Sequence, residues 1–388
     1  MTIDTKPIAA DPAASRDIPL AAERVPRSQE VAGQWRLMWW KFTRHRAAVI
    51  AGCIVLFIYF VGAFCEFLAP QDPNSNNARF KYVPPQVIHL FDRDTMSFAP
   101  HVLAFTSKMD PVSYRRSYVP DETHHIPIGL FVKGDSYRMW GLFTWDRHLI
   151  GPLAPRQPFY LLGSDRLGRD NLSRIIYGAR VSMSIGLLGV ALSLIIGLIL
   201  GGISGYYGGL VDKIIQRTME FLRSMPTIPL WMGLAAAIPL SWPPLGVYLM
   251  ITVLLSLVGW TSLAREVRGK VMALKGEEYV TAARLDGVGE FDIIMRQIVP
   301  SFASHVIAVT TLAIPEMILA ETALSFLGIG LQAPTVSWGV LLKEAQNVNT
   351  VATSPWLLLP GIAVVVAVLS LNFLGDGLRD AADPYSSI

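Results

Sequence analysis

Charge is scarce in this chain of 388 residues: Asp, Glu, Lys and Arg make up 16% of it against 52% hydrophobic residues, and the mean hydropathy is +0.41. Soluble domains carry roughly 25% charged residues, so the balance points to an integral membrane protein. The net charge is only +3 and the basic residues form no long run, which removes the electrostatic footing for nucleic-acid binding. Cysteine is almost absent. Cys53 and Cys65 fall within one apolar run, a placement that suits neither a disulfide framework nor a zinc site. The phosphate-binding pattern G-x-x-x-x-G-K-[ST] is missing, as are HExxH and, in GARVSMSIG, the G-x-S-x-G elbow of a serine nucleophile. His124 and His125 in DETHHIP read as solvated loop histidines, so no metal is assigned.

What the chain does have is apolar runs close to the ~20 residues a bilayer-crossing helix needs. The first is expected at Ala47–Leu68, after a polar tail (1–46) that lacks the form of a cleavable signal. Lys41, Arg44 and Arg46 precede this run and place the N-terminus on the cytoplasmic side. Residues 69–180 are polar, aromatic and proline-punctuated with no window long enough to cross, which makes them a large extracytoplasmic segment. Further spans are expected at Val181–Ser204, Ile214–Leu240, Val247–Ala264, Val306–Leu327 and Trp356–Leu374, with a cytoplasmic C-terminus (376–388). Arg265, Arg268, Lys270 and Lys275 agree with this orientation.

Between the fourth and fifth spans lies a charged, glycine-broken loop, 265–300, containing EEYVTAARLDGVGE. Ala282, Ala283, Arg284 and Leu285 are good helix formers, Gly287 and Gly289 allow a turn, and FDIIMRQIV forms a second short helix that Pro300 ends. Such a helix-turn-helix lies across the membrane face. On this pattern alone it could equally be an ordinary amphipathic connector.

The stretch TAARLDGVGEFDIIMRQIVP resembles the EAA loop of ABC importer permeases: Ala282, Ala283, Gly287 and Pro300 match in place, and Thr281 stands where that motif has Glu. LLGSDRLGRDNLSRIIYGARVSMSIG, ETALSFLGIGLQAPTVSWG and FLGDGLRDAADP, with HRAAVIAG and FLAPQDP, look like the signatures of the dipeptide and oligopeptide permeases, in particular their second, C-type membrane subunit. The likeness covers about Arg44–Asn76 and Leu161–Pro384 and leaves an insertion at about 77–160.

The resemblance implies an all-α integral membrane protein with the six transmembrane helices of the type I ABC importer permease fold, a large extracytoplasmic insertion after the first helix, and a permease core at 181–375. It implies a bacterial inner-membrane location and alternating access. The implied partners are a homologous second permease, two cytoplasmic ATPase subunits, an extracytoplasmic substrate-binding protein and membrane lipid, but no nucleic acid. No cofactor is expected on this chain, since ATP and Mg would sit on the ATPases. Loop 265–300 becomes the coupling helix, with docking contacts assigned to Tyr279, Ala282, Ala283, Arg284 and Gly287. Peptides are the leading cargo, with oligosaccharides, opines and nickel as alternatives. An ATP-independent channel or secondary transporter is the competing class, disfavoured by the docking loop and by the lack of an internal repeat.

Glu316 and Glu321 lie in the fifth apolar run, where a carboxylate usually faces a bundle interior or a watery cavity. They are expected to line or gate the pathway, the alternative being packing contacts, and Glu321 matches a Glu of the family motif. Asp165, Arg169 and Asp170, with Arg166, could face substrate or binding protein from the outer side, or bridge to one another. The density of Tyr, Trp, Phe and Pro in the insertion suggests a small outer subdomain that touches the binding protein or covers the pore mouth.

Overall fold

A computed structural model describes residues 34–91, 98–109, 111, 116–154, 157–239 and 241–382, so most of the N-terminal tail lies outside the described residues. α1 (Gln34–Arg44) leads across His45 into α2 (Arg46–Ala63), where the His45 ring nitrogen accepts from the Ala48 N–H and caps the new helix. A single turn, α3 (Cys65–Leu68), ends the first apolar run. Among the described residues five helical runs are long and apolar enough to cross a membrane.

The insertion is not helical. It forms one antiparallel sheet in the order β1 (Ile88–Phe91), β2 (Phe98–Met109), β3 (Arg116–Met139), β4 (Phe143–Pro152). β3 is long enough to serve two partners: β2 pairs with its first half and β4 with its second. Val102, Ile126 and Ile128 form a small buried cluster with Phe159, so the helical expectation holds for the membrane part while the insertion adds a β subdomain. The stretches flanking the sheet belong to the bundle instead. The Asn77 and Tyr82 N–H groups donate to the Leu167 and Asp165 carbonyls and the Ser164 N–H to that of Val83, so the two flanks of the sheet are tied to each other. Gly168 makes this closure feasible: its φ is +75°, and a Cβ there would sit 1.9 Å from the Asn77 carbonyl oxygen.

Asp170 starts α4 (Asn171–Tyr207), its carboxylate accepting from the Ser173 N–H at 2.8 Å. The helix therefore begins ten residues before the expected span. At 1.5 Å per residue its 37 residues reach about 55 Å, well beyond a ~30 Å hydrocarbon core. The expected third span is broken. α5 (Gly209–Ser224) and α6 (Thr227–Ala236) meet at Met225 and Pro226, because proline lacks an N–H and forces the residue before it into extended backbone, here φ −85° and ψ 139°. α6, ten residues long, covers only about half of a hydrocarbon core.

α7 (Pro244–Leu274) is followed by α8 (Glu278–Leu285), then by α9 (Glu290–Asp292), a wide π turn (Ile293–Ile298) and α10 (Val299–Ser301). α11 (Ala303–Phe326), α12 (Trp338–Leu342), α13 (Val348–Thr353) and α14 (Leu359–Ala382) complete the chain. The main core gathers side chains of α2, α4, α7, α11 and α14 around the fully buried Trp338.

α4 and α7 form the tightest pair of helices. Gly197, Gly201 and Gly205 repeat every fourth residue and so share one face of α4. Cβ atoms there would lie 2.9 Å from Leu263 Cβ, 2.5 Å from the Ala264 carbonyl oxygen and 2.8 Å from the Arg268 carbonyl oxygen. Small residues at this spacing allow backbones to touch in a membrane. Gly201→Val should therefore destabilise the bundle by on the order of 1–3 kcal/mol through overpacking. A clear fall in thermal midpoint in detergent, with little change for Gly233→Ala, where a Cβ would meet nothing within 4 Å, checks this.

Candidate functional site

The loop after α7 is built as a clamped short helix. Val280 and Ala283, one turn apart on α8, are buried with Val271, Ile293, Ile294, Ile298 and Tyr206. α8 stops in a Schellman turn: the Gly287 N–H donates to the Arg284 carbonyl and the Val288 N–H to the Ala283 carbonyl, with Gly287 at φ +76°. Arg284 Nη2 donates to the Tyr206 hydroxyl at 3.1 Å, and its guanidinium carbon lies 5.4 Å from that ring's centre. Tyr206 ends α4, so the loop is held by two long helices at once.

Of the residues expected to make contacts here, Tyr279, Ala282, Arg284 and Gly287 lie on the exposed side. Ala283 does not. It is buried because it shares the inward face of α8 with Val280, and it seats the helix. The exposed surface includes three apolar side chains missed from sequence, Leu285 at 84% exposure, Val288 and Phe291. A signal for Leu285 was available, since at 100° per residue it falls about 140° from Val280 around the helix and cannot share the buried face.

Next to this loop Asp212 of α5 receives Arg268 of α7 through two hydrogen bonds, Nε to Oδ1 at 2.6 Å and Nη2 to Oδ2 at 2.7 Å, and Ser204 Oγ donates at 2.5 Å. The Arg268 guanidinium holds the Asp212 carboxyl down to about 2.

Glu321 is fully buried within the bundle. Ser325 and Ser337 donate to its Oε1 at 2.8 and 2.7 Å, and Ser182 donates to Oε2 at 3.2 Å. The same Ser182 oxygen accepts from the Trp338 N–H at 3.1 Å. Glu321 thus joins α4, α11 and the start of α12 through packing contacts within this chain. Glu316, on the same helix, is exposed on the surface of this chain.

Asp165, Arg169 and Asp170 are also buried, not presented on the outer surface of this chain. Arg169 Nε donates to Asp165 Oδ2 at 2.6 Å, Arg174 Nη1 is paired with the same oxygen, and Arg169 Nη2 reaches Glu344 at 3.3 Å. Asp165 and Arg169 thus bridge to one another, while Asp170 caps α4 through the Ser173 N–H and hydroxyl. Burial pushes the Asp170 carboxyl up to about 6 despite its bonds from Ser173, and burial beside Asp165 raises Glu344 as well. Two partners were missed: Arg174 inside α4, and Glu344, which is far away in sequence. A second pair, Glu66 and Arg180, joins at 2.6 Å, while Arg180 Nε donates to the Gly62 carbonyl, tying the end of α2 to α4. No cluster of three or more metal-ligating side chains occurs among the described residues.

Glu321→Ala should cost more than an ordinary core substitution, because three buried hydroxyls lose their acceptor at roughly 1–3 kcal/mol for each group left unpaired. Glu321→Gln keeps an oxygen and should be milder, an ordering that thermal denaturation of the purified protein checks. For Asp212 the folded carboxyl titrates below its unfolded value, so its stabilisation is complete above the ordinary carboxylate range and is lost as pH falls toward about 2. The stability advantage of the wild type over Asp212→Asn should therefore stay level from neutral pH to about pH 5 and shrink below about pH 4. Unfolding midpoints measured across that range give the answer.

Comparison with known proteins agrees with the motifs. Residues 194–386 match the family model of the binding-protein-dependent transport system inner membrane component, and residues 33–85 match the N-terminal transmembrane domain of oligopeptide transport permease C. The chain is 38% identical over 232 residues to the dipeptide transport system permease protein DppC of Bacillus subtilis, covering 59% of this chain and 70% of that one. It is 37% identical over 240 residues to the oligopeptide transport system permease protein OppC of Haemophilus influenzae, covering 62% and 75%. Over 365 residues, 94% of this chain and 96% of the other, it is 29% identical to the glutathione transport system permease protein GsiD of Pectobacterium atrosepticum. Among solved structures it is similar to a chain of the MetNI methionine ABC transporter in an inward-facing conformation, with 16% identity and a TM-score of 0.42 over 54% of this chain and 96% of that one. A multi-pass membrane chain matched in this way at its N-terminal domain and along its bundle belongs to the binding-protein-dependent ABC importer permeases, on the C-type branch of the dipeptide and oligopeptide systems.

Proposed function

We propose that this chain is one of two membrane subunits of an ATP-driven peptide importer, pairing with a homologous permease so that the pathway runs between the two bundles. Its cargo is di- or oligopeptide, as the names of its relatives suggest. Selection belongs largely to an extracytoplasmic binding protein, and two cytoplasmic ATPase subunits, which hold ATP and Mg, hydrolyse the nucleotide. Both termini are cytoplasmic, in keeping with Lys41, Arg44 and Arg46 before the first span and Arg265, Lys270 and Lys275 near the end of α7.

The observation that carries this reading is the clamped α8. A part that converts closure of two ATPases into movement of membrane helices must be stiff toward the bundle and adhesive toward the ATPase. α8 is seated on the ends of α4 and α7 through Val280, Ala283 and Arg284; it turns Tyr279 and Leu285 outward, and Val288 in the following turn and Phe291 on α9 are exposed beside them. Exposed apolar side chains on a loop next to a membrane are costly unless a protein surface covers them. Glu316 lies on the exposed face of α11, where it can meet the second permease or the pathway between the bundles.

Burial of a Leu or Phe side chain contributes about 1.5–3 kcal/mol, so Leu285→Asp or Phe291→Asp should weaken docking roughly tenfold or more. Peptide uptake and substrate-stimulated ATP hydrolysis by the reconstituted transporter should fall together while the chain remains paired with its second permease. Full uptake by both variants, with ATPase subunits still recovered, would overturn the assignment of this face.

A further inference from the structure

The tip of the β3–β4 hairpin reads Arg138-Met-Trp-Gly-Leu-Phe-Thr-Trp145. Met139 pairs with Phe143, so Trp140, Gly141 and Leu142 form the turn. Turns normally use Gly, Asn or Asp where φ is positive, yet here Trp140 takes φ +49° beside Gly141 at +75°. A bulky side chain in that region is strained, and a reason for it should be sought in what the side chain does. The Trp140 indole N–H donates to the carbonyl of Ala63, the last residue of α2, at 2.7 Å, and its ring centre lies 5.4 Å from that of Phe64. Close by, Trp145 stacks on Phe67 with ring centres 5.8 Å apart, and Phe131 approaches Phe67 at 5.9 Å. The hairpin tip is therefore fastened to the end of the first membrane span.

Fastening accounts for one side of these rings only. Trp140, Phe143, Trp145 and Phe131 remain exposed, and Leu142 is 76% exposed at the apex. α2, a candidate membrane span, exposes Leu56, Phe57 and Phe60 on this chain, and Phe60 packs on Phe64 with ring centres 4.8 Å apart. The apolar tip continues that surface past the end of the helix, and Arg138 stands exposed beside it. Trp and Phe at the level where a span ends, with a basic residue next to them, form the combination that partitions into the boundary between headgroups and acyl chains.

We propose that the β3–β4 tip is a membrane-interface anchor: Trp140, Leu142, Phe143 and Trp145 enter the outer leaflet beside α2, and Arg138 meets lipid phosphate. Lipid is favoured over a protein partner because the patch continues, through Phe60, Phe64 and Trp140, from an apolar span that is mostly uncovered by the rest of this chain, and because the Ala63 bond holds it at the end of that span. The anchor fixes the sheet against the bilayer instead of leaving it to swing over the bundle.

The test places a nitroxide label at Leu142→Cys in a Cys53→Ser background, within the complete transporter in proteoliposomes. Cys65 is buried and stays unlabelled. Phe143→Cys is a second site in case the apex substitution disturbs the turn, and Glu122→Cys, in the first half of β3, is the aqueous reference. Collision rates with oxygen, which concentrates in lipid, and with a water-soluble nickel chelate are read by power saturation. The expected result is an oxygen-to-chelate ratio severalfold higher at 142 and 143 than at 122. A ratio equal to that at 122 would place the tip in water, and exclusion of both relaxants would place it against a protein; either result overturns the anchor.

Discussion

Gly201 and Ala264 approach so closely that a single added carbon would meet a backbone oxygen at 2.5 Å, and much of the molecule depends on that contact. Between helices in a bilayer, lipid tails are as apolar as leucine, so burial supplies little drive and close van der Waals packing must replace it. The glycine face of α4 brings its backbone against α7 over three successive turns. Ser193 and Ser256 add hydrogen bonds farther along the same seam, Ser256 Oγ to the Gly189 carbonyl at 2.8 Å and Ser193 Oγ to the Ser256 carbonyl at 3.2 Å. With the two helices locked in register, their ends become a fixed platform. Tyr206 at the end of α4 and Val271 near the end of α7 are two of the side chains on which α8 is seated.

Charge inside a membrane protein is expensive, and the buried charges of Glu321 and Asp165 are each shared among several groups. Glu321 has three hydroxyl donors from three separate segments. Asp165 has two arginines, and Glu344 reaches back to the same group from the far side of α11. Each cluster joins parts of the chain that sequence order keeps apart, and each is placed where a missing partner would leave a bare buried charge. This arrangement suits a transporter, because helices that must move as a body need internal joints that do not yield. The free surface then carries few charges within the spans, and the exposed Glu316 stands out against that background.

Much of this was legible in the sequence, for stated physical reasons. Length and hydropathy located α2, α4, α7, α11 and α14 because a continuous apolar run of that size has few other uses. The glycine-broken loop was legible as a short helix and a turn because Gly287 sits where a Schellman motif needs positive φ. Three things were not legible. Pro226 splits the third run, and hydropathy averaged across it registers composition but not the missing N–H. The insertion reads as aromatic and irregular because β3 changes partner midway and its alternation is interrupted by register shifts. The contacts of Glu321 with Ser182 and Ser337 and of Arg169 with Glu344 join residues far apart in sequence, and spacing along the chain holds no information about them.

The break at Pro226 and the anchored hairpin bear on the same mechanical problem from opposite ends. On the proposed docking of an ATPase at α8, a permease half has to transmit a displacement applied there without losing it in bending. Continuous helices, α4 and α7, run from that platform and are joined by backbone contact. The discontinuous pair α5 and α6 is attached more loosely: α5 is fixed near its start by Asp212 and further along by Met219, buried against Trp260 and Ala264, while several apolar side chains of α5 stay exposed. On the proposed docking, compliance placed there would let α4 and α7 tilt as one body while the periphery accommodates the change. At the other end, a sheet tied to Ala63 through Trp140 and set into lipid would resist tilt of α2 relative to the bilayer. The structure thus separates stiff elements, which carry force through the centre, from a jointed element at the edge, and the division follows from where glycine permits backbone contact and proline forbids a hydrogen bond.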